Sequence, residues 1–262
     1  TTEIYTLSLH DALPIYLIKR LNYIIGLKGE RPEMTPGTAA RKRGDITRTK
    51  MLEAGIEPFA RLGPDGISTR DLAKAAGVNS AAIAYYFGGK ENYYCEVVNH
   101  IIRTRTRPIF ELVGEAMIEL KLSRGDRKAA GRLLVELVRS VIEAVTLNPR
   151  TRVVPGIFAR EQLHPTKAFD IIYNDAILKM ETALSELVAA ATGSKPGAPE
   201  VIVKAHALIG QVMVFNVGAD ILRIRLGRQA MGKKESAFVA GVAAEMVARF
   251  VGIETKSKNK GV

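Results

Sequence analysis

The side chains that could do catalytic or metal chemistry are few and widely separated. His100, His164 and His206 show neither the H-x-x-x-H spacing nor the Cys/His spacing of a metal site. The segment Gly88-Gly89-Lys90 lacks the upstream glycine and the trailing serine or threonine of a phosphate-binding loop. Cys95 is the single cysteine, so an internal disulfide is excluded. The sequence therefore predicts no enzyme activity, no metal site and no cofactor.

The overall charge favours a different kind of chemistry. The chain of 262 residues carries a formal net charge of +11. Such an excess favours a polyanionic partner, the alternative being a basic surface that is simply solvated. The single cysteine is compatible with a reducing cytoplasm, where we expect the protein. Residues 201–226, the most apolar stretch, contain polar side chains that would be costly in lipid, so no membrane span is predicted.

The segment from Ser68 to Lys90, STRDLAKAAGVNSAAIAYYFGGK, has the spacing of a helix-turn-helix. Ser68 or Thr69 can cap a first helix. Gly77 can adopt the left-handed conformation that ends it, and Asn79 can cap the next helix. The residues predicted to point inward are Leu72, Ala76, Val78, Ile83 and Phe87. The outward face of the second helix then consists of Ser80, Ala81, Ala82, Ala84 and Tyr85. A face of small side chains suits a helix that lies in the major groove of DNA.

We expect other helices to hold this segment in place. The apolar spacing from Ile46 onward is helical, and no run of alternating β-branched residues indicates a strand. Short helices separated by glycine-containing turns are predicted over residues 46–87, and a longer helix over Lys90–Arg105. Residues 108–252 have the pattern of several longer helices packed as a bundle. Pro58 falls inside the first helix, where it removes a hydrogen bond and is expected to cause a kink. The predicted fold class is all-α.

Two stretches resemble a known family of regulators. In the pattern from Thr47 to Val98, a helix that ends in Phe59-Ala60 is followed by G-x-S-T-R-D-L-A-K-A-A-G-V and then by Y-Y-F-G-G-K-E. This pattern resembles the DNA-binding domain of the TetR family of transcriptional regulators. The stretch from Val154 to Gly193, especially IFAREQLHPTKAFD, resembles the C-terminal domain of the CecR-like branch. The resemblance implies a three-helix helix-turn-helix domain over residues 46–92, followed by a helical bundle over residues 93–252 that binds an effector and dimerises.

The resemblance also implies a function and its partners. A protein of this kind is a sequence-specific DNA-binding transcriptional regulator, here a repressor that a small hydrophobic ligand releases from its operator. The implied partners are a double-stranded DNA operator, a small-molecule effector and a second copy of the chain. The alternative is a small-molecule-binding or enzymatic helical protein whose helix-turn-helix is only structural.

By the resemblance, Thr69 and Tyr86 bind phosphates, and Lys90 clamps the DNA backbone at the start of the next helix. Arg70 reaches either the edge of a guanine or one more phosphate. Residues 34–45 are predicted to form a basic arm, with Arg48 and Lys50 behind it, that reaches phosphates or a minor groove or else stays solvated. The predicted DNA contacts are Arg41, Lys42, Arg43, Thr69, Arg70, Asn79, Ser80, Ala81, Ala82, Ala84, Tyr85, Tyr86 and Lys90.

The bundle is predicted to bind a second copy of the chain and a ligand. Residues 201–226 and 236–251 carry apolar side chains on more than one helical face, which favours a symmetric partner, the alternative being complete burial within a monomer. The predicted ligand contacts are Phe158, Arg160, Glu161, Phe169, Tyr173, Asn174, Gln211, Met213 and Phe215. A mostly apolar lining of this kind suits a hydrophobic or aromatic effector.

The two ends of the chain are expected to lie outside the fold. The opening stretch TTEIYTLSLHDALPI resembles a translated sequencing adapter, and residues 1–33 are predicted to be an artefact or disordered. The alternative for residues 16–33 is a genuine amphipathic N-terminal helix. Residues 253–262 are polar and basic and are predicted to form a disordered tail.

Overall fold

A computed structural model describes residues 36–147 and 153–252 of the chain. The predictions for residues 1–33 and 253–262 lie outside these residues. The chain divides into two units, residues 1–45 and residues 46–262. Of the first unit, the structure describes only the helical backbone of residues 36–45, so the packing described below is that of the second.

All regular structure in the described residues is helical, which confirms the predicted all-α class. The helices are α1 (Pro36–Leu62), α2 (Thr69–Ala76), α3 (Ala81–Phe87), α4 (Lys90–Arg105), α5 (Arg107–Leu122), α6 (Arg127–Leu147), α7 (Val153–Leu163), α8 (Lys167–Ile172), α9 (Leu178–Thr192), α10 (Pro199–Val217), α11 (Ala219–Arg225) and α12 (Lys233–Phe250). A π-helical turn, Tyr173–Ile177, lies between α8 and α9.

The capping residues of α2 and α3 lie where the sequence predicted them. The Ser68 Oγ accepts a hydrogen bond from the Asp71 N–H at 3.1 Å, at the start of α2. Gly77 ends α2 with φ 66° and ψ 38°, in the left-handed region that favours glycine. The Asn79 Oδ1 accepts from the Ala81 N–H at 3.0 Å and so caps α3. Hydrogen bonds between near neighbours in the sequence therefore close the turn of the helix-turn-helix.

α1 is longer than predicted. It begins at Pro36 instead of Ile46, so the predicted basic arm is helical from residue 36 onward. The helix also continues through Pro58 and ends at Leu62. Phe59, directly after the proline, is fully buried, and burial of this face of α1 outweighs the single hydrogen bond that a proline removes.

The buried side chains form two separate clusters. The first, which we call the N-terminal core, joins α1–α4 to α7 and α8. Its largest members include Met51, Phe59, Leu72, Ile83, Tyr93, Tyr94, Val97, Ile101, Ile157 and Ile172. The second, the bundle core, joins α5, α6, α9, α10 and α12. Its members include Val113, Leu134, Val138, Ile142, Leu184, Leu187, Val201, Leu208, Val239 and Val247. A domain boundary at residue 92 stays a prediction, whereas side-chain packing groups α7 and α8 with the helix-turn-helix.

α10 has two apolar faces. One face lies in the bundle core through Val201, Ala205 and Leu208. α10 is also the one described helix whose length and composition would allow it to cross a bilayer, and only 17% of that stretch is buried. Its exposed apolar side chains are Ile202, Val203, Val214 and Val217. The same composition is what a helix between two apolar protein surfaces needs, so α10 presents a face that its own chain leaves uncovered.

Candidate nucleic-acid interface and effector cavity

α3 presents a smooth outward face. Ile83 and Phe87, exposed at 0% and 7%, hold the helix against the N-terminal core. Of the residues predicted to face outward, Ser80, Ala81, Ala84 and Tyr85 are exposed and Ala82 is half-buried. Tyr85 is 81% exposed and is the only large side chain on this face. With mostly methyl and hydroxyl groups there, base edges can approach the helix closely, and readout would rest on Tyr85, methyl contacts and DNA shape.

The first turn of α2 follows directly on the Ser68 cap and carries two of the predicted contacts. Thr69 is half-buried and Arg70 is exposed. The Ser68 Oγ also donates to the Asp71 Oδ2 at 2.5 Å, so the carboxylate beside Arg70 is engaged with the cap. Arg70 is therefore available as a long, fixed-charge donor at the N-terminal end of the helix before α3.

Lys90 starts α4 directly after Gly88 and Gly89, whose φ angles of 75° and 141° require glycine. Its Nζ donates to the Ile67 carbonyl at 3.3 Å, which ties the start of α4 to the segment before α2. An ammonium has three N–H donors, so Lys90 retains two for a phosphate. Tyr86 is half-buried, and its ring lies edge-on to the exposed Tyr85 with centroids 5.0 Å apart.

Of the basic residues at the predicted arm, the structure describes the side-chain contacts of Arg48. The Arg48 Nη2 lies 2.8 Å from the Glu96 Oε2, and its guanidinium lies 5.3 Å from the centroid of the Phe87 ring. Arg48 thus joins α1 to α3 and α4, and its contact with DNA stays a prediction. The side chains of Arg41, Lys42 and Arg43 lie outside the described residues, so their DNA contacts stay a prediction.

Aromatic side chains hold α4 against α1. The Phe59 ring packs edge-on against Tyr93 and Tyr94, with centroid distances of 5.4 Å and 5.0 Å. The Tyr93 hydroxyl donates to the Met51 carbonyl, and burial raises the pKa of Tyr93 to about 12. A methyl group at Gly55 would lie only 2.8 Å from the Tyr93 hydroxyl oxygen, so α1 and α4 can approach this closely because position 55 has no side chain. The start of α4 is therefore firmly positioned.

α7 and α8 are tied to α4 by a buried carboxylate. The Tyr94 hydroxyl donates to the Glu161 Oε1 at 2.8 Å, and the Thr166 N–H donates to the Glu161 Oε2 at 2.9 Å. Glu161 is 0% exposed. Burial, and next the hydrogen bond to this carboxylate, raise the pKa of Tyr94 well above its usual range. The Tyr94 hydroxyl therefore keeps its proton near neutral pH and can donate it to the carboxylate on α7.

A cavity of about 180 Å³ lies where the end of α4 and the start of α5 meet α6, α7, α9 and α10. Its wall is mostly aliphatic and aromatic. Two of the predicted ligand contacts, Phe158 and Met213, line it. Wall residues that the sequence did not predict as ligand contacts include Arg105, Thr106, Phe110, Val141, Gln162, Glu181, His206 and Asn216.

The other seven predicted ligand contacts are not in this wall, and their contact with a ligand stays a prediction. Glu161 faces α4 as described above, and Arg160 packs against Gly63. Phe169 and Tyr173 stack on each other with centroids 6.2 Å apart. The Asn174 Nδ2 donates to the Asp170 carbonyl at 2.8 Å, the Gln211 Nε2 donates to the Met246 Sδ at 3.8 Å, and Phe215 packs at the edge of the bundle core. A helix has several faces, and only packing against distant helices decides which one meets a cavity.

Some signal for the missed residues exists in the sequence. Asn216 interrupts an apolar stretch three residues after Met213 and four after Val212, so all three share one face of α10. Spacing along one helix could not predict the partner of His206. The His206 Nδ1 lies 2.7 Å from the Glu181 Oε1, which is on another helix.

Comparisons with known proteins agree with this architecture. A family model described as "Bacterial regulatory proteins, tetR family" matches residues 51–93, and one described as "HTH-type transcriptional dual regulator CecR, C-terminal domain" matches residues 130–252. The HTH-type transcriptional dual regulator CecR of Shigella flexneri is 30% identical over 200 residues, which cover 75% of this chain and 87% of CecR. The chain belongs to the TetR family of transcriptional regulators. α2 and α3 are accordingly the helix-turn-helix of a DNA-binding TetR-family protein.

Two more distant similarities fit this assignment. The HTH-type transcriptional repressor NicS of Pseudomonas putida is 27% identical over 124 residues, 46% of this chain and 55% of NicS. The crystal structure of Mycobacterium smegmatis AmtR matches with a TM-score of 0.51 at 18% identity, covering 87% of this chain and 92% of AmtR, and supports the fold alone. The matched relatives are transcriptional regulators, so this TetR-family chain is a regulator and not an enzyme. No group of three potential metal-ligating side chains occurs among the described residues.

Proposed function

We propose that this TetR-family protein is a cytoplasmic homodimeric repressor, and that a small apolar molecule in the cavity releases it from its operator. The observation that carries this proposal is the span of α4, which begins at Lys90 beside the helix-turn-helix and ends at Arg105 in the cavity wall. A helix of this length extends for about 24 Å. One rigid element thus connects a DNA-facing surface with a ligand-sized space.

Contact with DNA would use the exposed residues of α2 and α3 for readout and the start of α4 for the phosphate backbone. Arg70, exposed in the first turn of α2, would reach a guanine edge. Lys90 would supply a charge contact that is indifferent to sequence. The net charge of +11 supports a binding energy with a large electrostatic part.

Dimerisation would use the apolar surface that α10, α11 and α12 leave exposed. Its side chains are Ile202, Val203, Val214, Val217, Ile221, Ile224, Val242, Met246 and Phe250. A surface with so many exposed aliphatic groups is characteristic of an interface. Two copies related by a two-fold axis would present two α3 helices to DNA, so we expect a palindromic operator.

Release by a ligand requires that the ligand bind the DNA-incompetent arrangement more tightly than the competent one. Arg105 and Thr106 of the cavity wall lie at the end of α4. Arg105 also lies 2.5 Å from the Glu53 carboxylate on α1, so a shift at the cavity would reach both α1 and α4. Repression is favoured over activation by the name of NicS, a repressor, whereas CecR is named a dual regulator.

The operator can be selected from a pool of random duplexes, and affinities for it and for unrelated duplexes measured by fluorescence anisotropy at several salt concentrations. We expect Arg70→Ala to cost about 1–3 kcal/mol on the selected sequence and to relax the preference at one base pair. Lys90→Ala should weaken all duplexes alike and flatten the salt dependence. If both variants lost the same affinity for the selected operator as for unrelated duplexes, Arg70 would contact only phosphate.

The dimer and the release step have separate tests. Light scattering at micromolar concentration should give twice the chain mass, and Val214→Glu on α10 should give the monomer mass. Ligands that bind the full-length dimer should lower its affinity for the selected operator. Ligands that bind without changing this affinity would contradict release, and a monomeric unmodified protein would contradict the dimer.

A further inference from the structure

The polar side chains in the cavity wall mostly have partners within the protein. Arg105 is paired with Glu53 at 2.5 Å, and Glu181 is paired with His206 at 2.7 Å. The Thr106 Oγ1 donates to the Ile102 carbonyl at 2.5 Å. These groups are therefore engaged within the protein, Arg105 by an ion pair with Glu53 and Glu181 by its contact with His206.

Gln162, also in the wall, is exposed, whereas Asn216 is buried. It lines the cavity, is only 8% exposed, and its Oδ1 has no hydrogen-bond partner in the part of the chain that the structure describes. A buried amide oxygen without a donor destabilises the fold, and native proteins rarely retain one. Asn216 continues the apolar stripe of Val212 and Met213, where a leucine would pack without this cost. The Asn216 Oδ1 could therefore accept a hydrogen bond from a molecule bound in the cavity.

We propose that the effector is an uncharged, largely aromatic molecule of about two fused rings, with one N–H or O–H donor that binds the Asn216 Oδ1. This assignment rests on the proposed effector role of the cavity and specifies its ligand. The volume of about 180 Å³ exceeds the roughly 150 Å³ of a cavity known to hold benzene. An ionised ligand would leave water for a mostly apolar space in which Arg105 is already paired with Glu53, which disfavours it.

Three probes of similar shape separate the possible chemistries. Indole has an N–H donor and no strong acceptor, benzofuran replaces that donor by an oxygen, and indole-3-carboxylate adds a negative charge. Binding to the full-length protein is measured by calorimetry and by the rise in melting temperature. We expect indole to bind about tenfold more tightly than benzofuran, and indole-3-carboxylate to bind more weakly than indole.

Two variants of α10 assign this preference to one atom. Asn216→Leu keeps the side-chain size and removes the oxygen, so it should bind benzofuran and indole with equal affinity. Gln211→Leu is the matched control, because Gln211 is an amide on the same helix that lies outside the cavity wall and bonds to Met246. It should keep the tenfold preference for indole. Binding of benzofuran by Asn216→Leu also verifies that this variant is folded with its cavity intact.

Several results would overturn the proposal. These are equal affinities for indole and benzofuran in the unmodified protein, an indole preference that survives in Asn216→Leu, tightest binding of the carboxylate, or binding of none of the three probes. Failure of the repressor mechanism is distinguishable from these outcomes. Indole would then bind with the stated preference but leave the affinity for the selected operator unchanged.

Discussion

The N-terminal core and the bundle core differ in their side chains and in how completely they are filled. The first is built around Phe59, Tyr93 and Tyr94, whose rings interlock, and both tyrosine hydroxyls have partners. The fully buried side chains of the second are aliphatic. Beside it lies a cavity of about 180 Å³, with an Asn216 oxygen that no described residue satisfies. Interlocking rings fill the space under the DNA-binding helices, whereas the cavity lies where the N-terminal core, through Val154 and Ala176, meets the bundle core.

The largest effect that tests this contrast is expected from Phe59→Ala. Phe59 is 0% exposed and lies between two tyrosine rings, so its loss should lower the free energy of unfolding by about 3–5 kcal/mol. Leu187→Ala, at an equally buried position of the bundle core, should cost about 2–5 kcal/mol. Both are measured by denaturant titration. Well below the unfolding transition, only Phe59→Ala should also weaken DNA binding, and equal losses of affinity would contradict the contrast.

The next largest effect on stability is expected from removing the Glu161 carboxylate, which ties α7 to α4. Glu161→Ala removes the acceptor for Tyr94 and Thr166 in a site that is 0% exposed, and should destabilise by about 2–3 kcal/mol. Tyr94→Phe removes one of these hydrogen bonds and should cost about 1 kcal/mol. The free energies are compared in a double-mutant cycle. A cost for Glu161→Ala no larger than that of Tyr94→Phe would show that the carboxylate does not hold the two helices together.

Adding one methylene group to each core tests how tightly the two cores are packed. Val97 is fully buried, and its Cγ2 lies 3.0 Å from where a methyl group at Gly55 would be, so Val97→Leu should overpack and cost about 1–3 kcal/mol. Val141 lines the cavity, where the extra group has space, so Val141→Leu should change stability by less than about 1 kcal/mol. Thermal unfolding at neutral pH measures both. A larger loss of stability for Val141→Leu than for Val97→Leu would show that the bundle core is the more tightly packed of the two.

The smallest effect concerns the exposed contact between α1 and α4 at Glu53. Burial alone would raise its pKa, but the hydrogen bond from His100 and the charge of Arg105 together hold the pKa below its usual value. Since the folded pKa is lowered, the resulting stability is present above the ordinary glutamate pKa of 4.5 and is lost as the pH falls through the lowered value. Glu53→Gln should therefore remove less than about 1 kcal/mol at pH 7, and the difference from the unmodified protein should shrink toward pH 3. A difference that grows in acid would contradict the assignment.

Much of the fold was predictable, because the relevant interactions are local. The caps at Ser68, Gly77 and Asn79 act over two to five residues, and the burial of Ile83 and Phe87 follows from helical periodicity. The start of α1 was placed too late, since Gly44 and Asp45, residue types that favour a turn and an N-cap, lie inside the helix. The partners of Arg48 were not predictable, because Glu96 and Phe87 lie on other helices.

Residue types and their spacing were enough to predict the all-helical class, the helix-turn-helix with its outward face, and the family. Each depends on residue types at short, regular spacing, which a chain carries before it folds. Only the tertiary structure decided that Glu161 meets Tyr94 across 67 residues, and that Phe158 and Met213, but not the other seven predicted contacts, line the cavity. A cavity wall is assembled from helices that are distant in the chain. Which face each helix turns toward it is set by packing against all the others.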